Sequence, residues 1–427
     1  MSFLCDNSHE NGRRDFILIK PKEREILRRL VSKYMEIATL PVQKEKIKLW
    51  KAVNSGKMIR PMVVMDQLPW NELVCEDLTS VIEDPYWRTV ENNLRMMIYK
   101  WEHFPVDMVL DPFIPIYKSV GISGYGLSAS AEIIGDDDST AKSYHYKNCL
   151  KSMEDVEKIV DRRVTHDVKA TELHEQEAKE LFGDLAPALS MGLGFHIGIW
   201  DFITELMSID DAYLAFIDEP ELLHAAMGRL TESLLCAIKD ANDLGVHADN
   251  ANTCHCSYIY TDGLLPDSGQ GKGPFSKNSW SFGLAQLFTG VSPDLFAEFE
   301  VPYASKLAEQ FGMVYYGCCD RLDDRLDHVK KIPNVKKVSC SPWSNRENFA
   351  ANIGTELVMS VKPNPAFVAV ESFDKDIIKN DLMSYCELSK QNGVNLEFIL
   401  KDISTVLRQP DRLTKWADIA MEVVQNY

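Results

Sequence analysis

Apolar and polar residues recur along this chain at two different periods. Between residues 20 and 34 the apolar positions Ile26, Leu27, Leu30 and Val31 fall three and four apart within a charged stretch, which places them on one face of a helix. Residues 1–100 as a whole read as a mainly helical N-terminal extension, a cover and not a separate catalytic unit. From about Asp107 the pattern changes. Short apolar runs, each closed by polar, Gly or Pro residues, are followed by longer amphipathic stretches, the succession expected of strands and helices around a parallel sheet. The clearest runs are 108–116, 189–197, 256–260, 313–316, 335–338, 357–361 and 396–400. They come close to the roughly eight strands of a closed barrel. The expected fold class is therefore α/β: a (β/α)8 TIM-type barrel over residues 101–427, with residues 1–100 packed on it. A doubly wound sheet gives similar local patterns. The glycines of Gly121, Gly124 and Gly126 are, however, wrongly spaced for a dinucleotide fingerprint and read better as a turn.

In a parallel barrel the reactive side chains follow the carboxyl ends of the strands. That directs attention to His196, Trp200 and Asp201 after the second run, and to Cys318, Cys319 and Asp320 after the fourth. Cys340 and Ser341 follow the fifth, Lys362 to Pro365 the sixth, and Lys401 with Asp402 the seventh. The polar segment 263–278, rich in Gly, Ser, Asp and Pro, is the expected long active-site loop.

Composition narrows the picture. With 427 residues, 45% of them hydrophobic, the chain can bury a large core. It shows no apolar stretch of membrane-spanning length and no signal-like N-terminus, so a cytoplasmic location and no membrane partner are expected. The net charge of −18 argues against binding nucleic acid. Ten cysteines without an export signal should be reduced thiols. Cys5, Cys75, Cys149, Cys236 and Cys386 stand alone and are expected as small buried residues. The groups Cys254-His255-Cys256 and Cys318-Cys319-Asp320 concentrate soft and acidic side chains instead.

From about Ile209 onward the order of motifs resembles the uroporphyrinogen decarboxylase superfamily. The resemblance is carried by Asp218-Glu219-Pro220-Glu221-Leu222-Leu223 with Thr231-Glu232, then Trp280, Gly283 and Gln286, then Val291-Ser292-Pro293-Asp294-Leu295-Phe296 and Val301-Pro302-Tyr303. Departures select a branch within it. Decarboxylases of this superfamily hold an acidic tetrapyrrole with a loop of the Arg-Gln-Ala-Gly-Arg type, whereas this chain reads Arg60-Pro61-Met62-Val63-Val64-Met65-Asp66-Gln67. A single arginine cannot offset the desolvation of many carboxylates. The superfamily's corrinoid-dependent methyltransferases bind zinc through a His-x-Cys pair and a later Cys. Here Cys318 keeps the first Cys, Tyr316 replaces the His, and residues 399–405 contain no Cys. The strand ends Tyr-Gly-Cys-Cys, Ser-Pro-Trp, Lys-Pro-Asn-Pro and Lys-Asp-x-x-Thr resemble those of first-step methyltransferases in corrinoid demethylase systems.

The resemblance implies transfer of a methyl group from a small methylated substrate, a methoxylated aromatic in an O-demethylation, to the cob(I)amide of a corrinoid partner protein. Zinc would act as the electrophile on the departing oxygen. Its expected ligands are drawn from Cys318, Cys319, Asp320, His255, Cys256 and Cys340. Adjacent cysteines on an extended strand point apart, so one of Cys318 and Cys319 is expected to be structural, and buried thiols packing a strand end is the alternative for the whole group. Lys401, Asp402, Tyr316 and Lys362 are the catalytic candidates, with a structural Lys401–Asp402 ion pair as the alternative. His196, Trp200, Trp280 and Gln286 are the substrate-binding candidates, against plain packing for the two tryptophans. Two other readings stay open: a decarboxylase-type enzyme acting on a tetrapyrrole, and a non-catalytic barrel that binds a corrinoid or tetrapyrrole. A homodimer is compatible with all three.

Overall fold

The computed structural model of the chain describes residues 19–134, 143–248, 251–264 and 275–427. Helix α1 (Pro21–Ala38) begins with Pro at its first turn, and the Glu23 carboxylate accepts from the Lys20 backbone N–H at 3.0 Å. It buries Leu27, Leu30 and Val31 of the four expected apolar positions, together with Tyr34, while Ile26 is half-buried. Helices α2 (Pro41–Asn54) and α3 (Pro85–His103) follow, the latter capped by Asp84, whose side chain accepts from Trp87 N.

Strand β1 (Met62–Met65) lies between α2 and α3. The stretch read from sequence as a helical cover thus also supplies a strand of the main sheet. Strands β2 (Ile114–Tyr117) and β3 (Ala188–Met191) pair with each other in parallel. After the long helix α4 (Pro220–Leu244), ended by Gly245 in the left-handed region, comes β4 (Trp280–Gly283). Helix α5 (Val301–Ala308) precedes β5 (Met313–Tyr316), and β6 (Val335–Cys340) and β7 (Val358–Val361) come next. Helix α6 (Lys375–Asn392), strand β8 (Asn395–Leu400) and helix α7 (Asp411–Gln425) complete the chain.

The main sheet has six parallel strands in the order β1-β8-β7-β6-β5-β4. A continuous eight-stranded ladder is not formed among the described residues. Its two edges instead continue into irregular chain. Beside β1, Asp107 N donates to Val63 O at 2.8 Å, and the Asp107 carboxylate accepts from Val63 N. Beside β4, Ile197 N donates to Phe282 O at 2.7 Å within an isolated bridge between His196 and Phe282. Pro105, Pro112 and Pro115 on one side and Gly192, Gly194 and Gly198 on the other explain the irregularity. Proline removes ladder donors, and glycine weakens a strand interior. Of the seven expected runs, those at β5 to β8 match closely. Those at 108–116 and 189–197 are only partly extended, and 256–260 contains Ser257–Tyr258, half of a short antiparallel hairpin with Thr253–Cys254. No helix among the described residues is long and apolar enough to cross a membrane.

Candidate functional site at the strand ends

The inner face of the sheet is polar where an apolar core would be simpler. Side chains alternate across a strand. From β6 the Lys337 ammonium donates to Glu397 Oε2 of β8 at 2.6 Å and to Ser257 Oγ at 2.6 Å. Ser360 of β7 donates to the other Glu397 oxygen at 2.6 Å. Lys362, one residue past β7, donates to Ser360 Oγ at 2.8 Å and to the Tyr315 hydroxyl. Lys337 and Glu397 are wholly buried and Lys362 nearly so. Burial pushes both lysines below the usual ammonium range, because a charge is costly away from water. None of Lys337, Glu397, Ser360 or Tyr315 stood out in the sequence. A period-2 signal was there: Lys337 and Ser339 on β6 fall two apart, as do Asn395 and Glu397 on β8.

Above this network, at the carboxyl ends of β5 and β8, five side chains converge. Lys401 Nζ lies 2.9 Å from Cys318 Sγ and 3.1 Å from His255 Nε2. Cys318 Sγ is 3.5 Å from His255 Nε2 and 3.6 Å from Cys319 Sγ, and Cys319 donates to Asp402 Oδ2 at 2.9 Å. Asp402 is also 3.3 Å from Lys401. The two adjacent sulfurs approach each other, contrary to the expectation that they point apart. They lie beyond the strand, after Gly317, whose φ of +90° turns the chain. A Cβ at Gly317 would stand 2.5 Å from Leu322 Cδ1, so the turn requires glycine. His255 and Asp402 also hold left-handed backbone, at φ 54° and 57°. Such conformations are uncommon for residues with side chains and gather at functional sites.

Electrostatics sort these groups. The neighbouring Cys319 thiol, then His255 and Lys401, hold Cys318 far below the ordinary thiol range, against the opposing effect of burial. Cys319 is pushed the other way, by Cys318 and by burial. Burial pushes His255 down, against the opposing effect of its contact with Cys318. Burial opposes the charge on Lys401, but Cys256, Cys318, Cys319 and Asp402 outweigh it and raise it. Burial pushes Cys256 and Cys340 up to about 12, against nearby lysines.

The other expected site residues are distributed differently. His255 stacks on Phe282, with ring centroids 4.0 Å apart and planes 4° from parallel. His196 stacks on the same Phe282 at 5.3 Å, with Nε2 2.9 Å from Asp201 Oδ2. Phe282 therefore joins His196 to the cluster, a role that sequence did not reveal. Tyr316 points away from Tyr315, out of the inner face, and donates to the buried Glu300 of the Val301–Ala308 region at 2.8 Å. Cys340, next to the inward Ser339, lies on the outer face within electrostatic reach of Arg346 and Asp323, so it does not join Cys318. Asp320 Oδ1 accepts from Cys318 N at 2.7 Å and shapes the turn; burial pushes it up to about 6. Trp200 is buried against Phe216 and Phe288. Trp280 packs with Ile259, Met313 and Tyr315. Gln286 is exposed at the start of the turn Gln286–Gly290. Residues 265–274 of the expected active-site loop lie outside the described residues. A surface cavity of 630 Å³ lined by Arg29, Lys33, Glu76 and Glu102 contains none of the cluster residues.

Zinc was expected here, and the residues as arranged do not fit it. Among the described residues no group of three or more His, Cys, Asp or Glu side chains is placed to hold a metal ion. The cation set against the Cys318 and His255 lone pairs is the chain's own Lys401. Zinc sites are built from converging deprotonated donors, and an ammonium between two of them competes for the same electron pairs.

No protein-family model matches the chain, and no curated protein matches it. Among solved structures, a methyltransferase from Methanosarcina mazei aligns with 88% of this chain and 98% of its own, at a TM-score of 0.49 and 13% sequence identity. An overlap of that size and identity assigns neither a family nor a reaction to this chain.

Proposed function

We propose that the chain is an enzyme of the (β/α)8 class, its sheet continued through the 107–117 and 188–197 segments, that transfers a methyl group from a small methylated substrate to the cob(I)amide of a corrinoid partner. The observation that carries this reading is the convergence of Cys318, His255, Lys401 and Asp402 at the carboxyl ends of parallel strands. That end of a parallel sheet is where such folds place their chemistry. Breaking a methyl ether requires stabilisation of negative charge on the leaving oxygen. Lys401, nearly buried and held by a thiolate, is a charged donor in a water-poor setting, where such donors act most strongly. The Cys319–Asp402 pair lies beside it and can supply a proton to the departing oxygen. Phe282, between His255 and His196, offers an aromatic ring to a methoxylated aromatic substrate. Zinc has no place in this scheme, because the donor set does not fit it.

The tetrapyrrole alternative loses further ground. Arg60, the one arginine of the loop expected to hold it, is committed to Asp107 through two hydrogen bonds of 2.8 and 2.7 Å. It is not free to meet a polycarboxylate.

The test is an anaerobic assay with reduced cobalamin and a panel of methoxyaromatics, methylamines and betaines, following loss of the Co(I) absorption. Consumption with one donor class, reduced by about two orders of magnitude or more in Lys401→Met, is the expected result. If wild type and Lys401→Met react alike, the strand-end cluster is not the reacting site.

A further inference from the structure

The cluster holds a second consequence, which rests on the methyl-transfer reading above. Cys318 Sγ lies 2.9 Å from the Lys401 ammonium, a setting that favours the nucleophilic form of a cysteine. Cys318 keeps 8% of its surface exposed, and Cys319 beside it is half-buried. Lys401 and His255 fix it from one side, and Cys319 from the other. Cys149, Cys236, Cys254, Cys256, Cys340 and Cys386 are all pushed toward the unreactive thiol by burial. A cysteine kept merely as packing would need neither a buried lysine at 2.9 Å nor left-handed backbone in its two neighbours His255 and Asp402.

We propose that Cys318 is itself the first methyl acceptor, taking the methyl group from the small donor before the corrinoid partner receives it. In this step the Cys318 sulfur attacks the methyl carbon of a donor CH3–X. The S–C bond forms, the C–X bond breaks, and the electron pair leaves with X. The sulfur loses its negative charge, and Lys401 keeps Asp402, 3.3 Å away, as its counter-charge. In the return step the partner's Co(I) supplies the electron pair that takes the methyl group, the S–C bond breaks, and the thiolate forms again against Lys401. The chain's cation then does at the sulfur what a metal would do: it lowers the cost of regenerating the thiolate.

The experiment treats the full-length protein, without any corrinoid, with methyl 4-nitrobenzenesulfonate as a simple methyl donor and maps the modified peptide by mass spectrometry. A single CH2 increment on Cys318, formed at neutral pH ahead of any on the other cysteines, is the expected result. Lys401→Gln should slow this methylation by about tenfold or more at neutral pH, with the rate recovering as pH rises. Lys401→Arg should keep it near the wild-type rate, since the charge is retained. Methylation first at Cys319 or at another cysteine would overturn the proposal. So would a wild-type protein, which needs no variant to fold, whose Cys318 is not methylated at neutral pH, or a stoichiometric zinc ion that must be chelated before Cys318 reacts. The corrinoid assay separates the two readings. Methylated Cys318 with no Co(I) consumption by any donor defeats the partner reading alone, and Co(I) consumption that survives in Cys318→Ser defeats the acceptor role alone.

Discussion

Lys337 and Glu397 lie 2.6 Å apart with no surface exposed, and two serines supply Glu397 with further donors. A buried pair of this kind contributes little net stability, but removing one member strands the other. Lys337→Met is therefore expected to destabilise the protein by about 3 to 5 kcal/mol, measured by urea unfolding, while adding Glu397→Leu should restore much of the loss. Glu300 provides a residue-level test in pH. Burial pushes its carboxyl up to about 8, against the hydrogen bond from Tyr316. Between its ordinary value of 4.5 and about 8 the folded chain holds a proton that the unfolded chain has released. Stability from this group is complete below that window and falls as pH rises through it, by at most about 1.4 kcal/mol per pH unit. Glu300→Gln should flatten that slope in melting curves taken at successive pH values. An unchanged slope would mean that Glu300 is ionised in the folded protein. The parity of the strands explains which site residues the sequence exposed. Cys318, His255, Lys401 and Asp402 follow strand ends and stand out as chemistry. Tyr316 and Cys340 also stand at strand ends, but one residue out of step with the inner face. Only the register with Tyr315 and Ser339 shows it, and register is a property of paired strands that one sequence does not display.

At the scale of elements, the turn after β5 decides whether the cluster assembles. Gly317 lets the chain reverse so that Cys318 N reaches Asp320 and both sulfurs face Lys401 and Asp402. Gly317→Ala forces a Cβ against Leu322 and Ser339 in a backbone region that L residues avoid. A loss of about 1 to 3 kcal/mol is expected in thermal unfolding, together with loss of the fast methylation at Cys318. If Gly317→Ala methylates normally, the turn does not set the sulfur's position. Two strands of the main sheet, β1 and β4, were not visible in advance. β5 to β8 were legible because each apolar run ends in a polar residue and is followed by an amphipathic helix. Met62–Met65 was hidden behind Arg60-Pro61 and among helical neighbours. In Trp280–Gly283 serine and glycine break the apolar run. Short apolar runs carry no period of their own.

The whole molecule depends on β1 more than its length indicates. Met62, Val63, Val64 and Met65 are each at most 3% exposed, and the strand pairs in register with Glu397 to Leu400 of β8. It thus covers one edge of the strand that carries Glu397 and leads into Lys401. It also receives Asp107 N, and Arg60 just before it clamps the Asp107 carboxylate. Each fully buried side chain of this type is worth about 1.5 to 3 kcal/mol. The strand alone therefore contributes an amount comparable to the net stability of a typical domain, about 5 to 15 kcal/mol. If residues 1–100 were only a cover, a fragment of residues 101–427 would keep its sheet and unfold cooperatively. The pairing predicts otherwise. That fragment leaves β8 as an open edge, with buried hydrogen-bonding groups exposed to other chains, and it should aggregate or unfold without a cooperative transition, as read by far-UV circular dichroism and urea titration. A soluble fragment with a sharp urea transition would instead show that the sheet closes without its first strand, and that residues 1–100 are separable from the part of the molecule that carries the strand-end cluster.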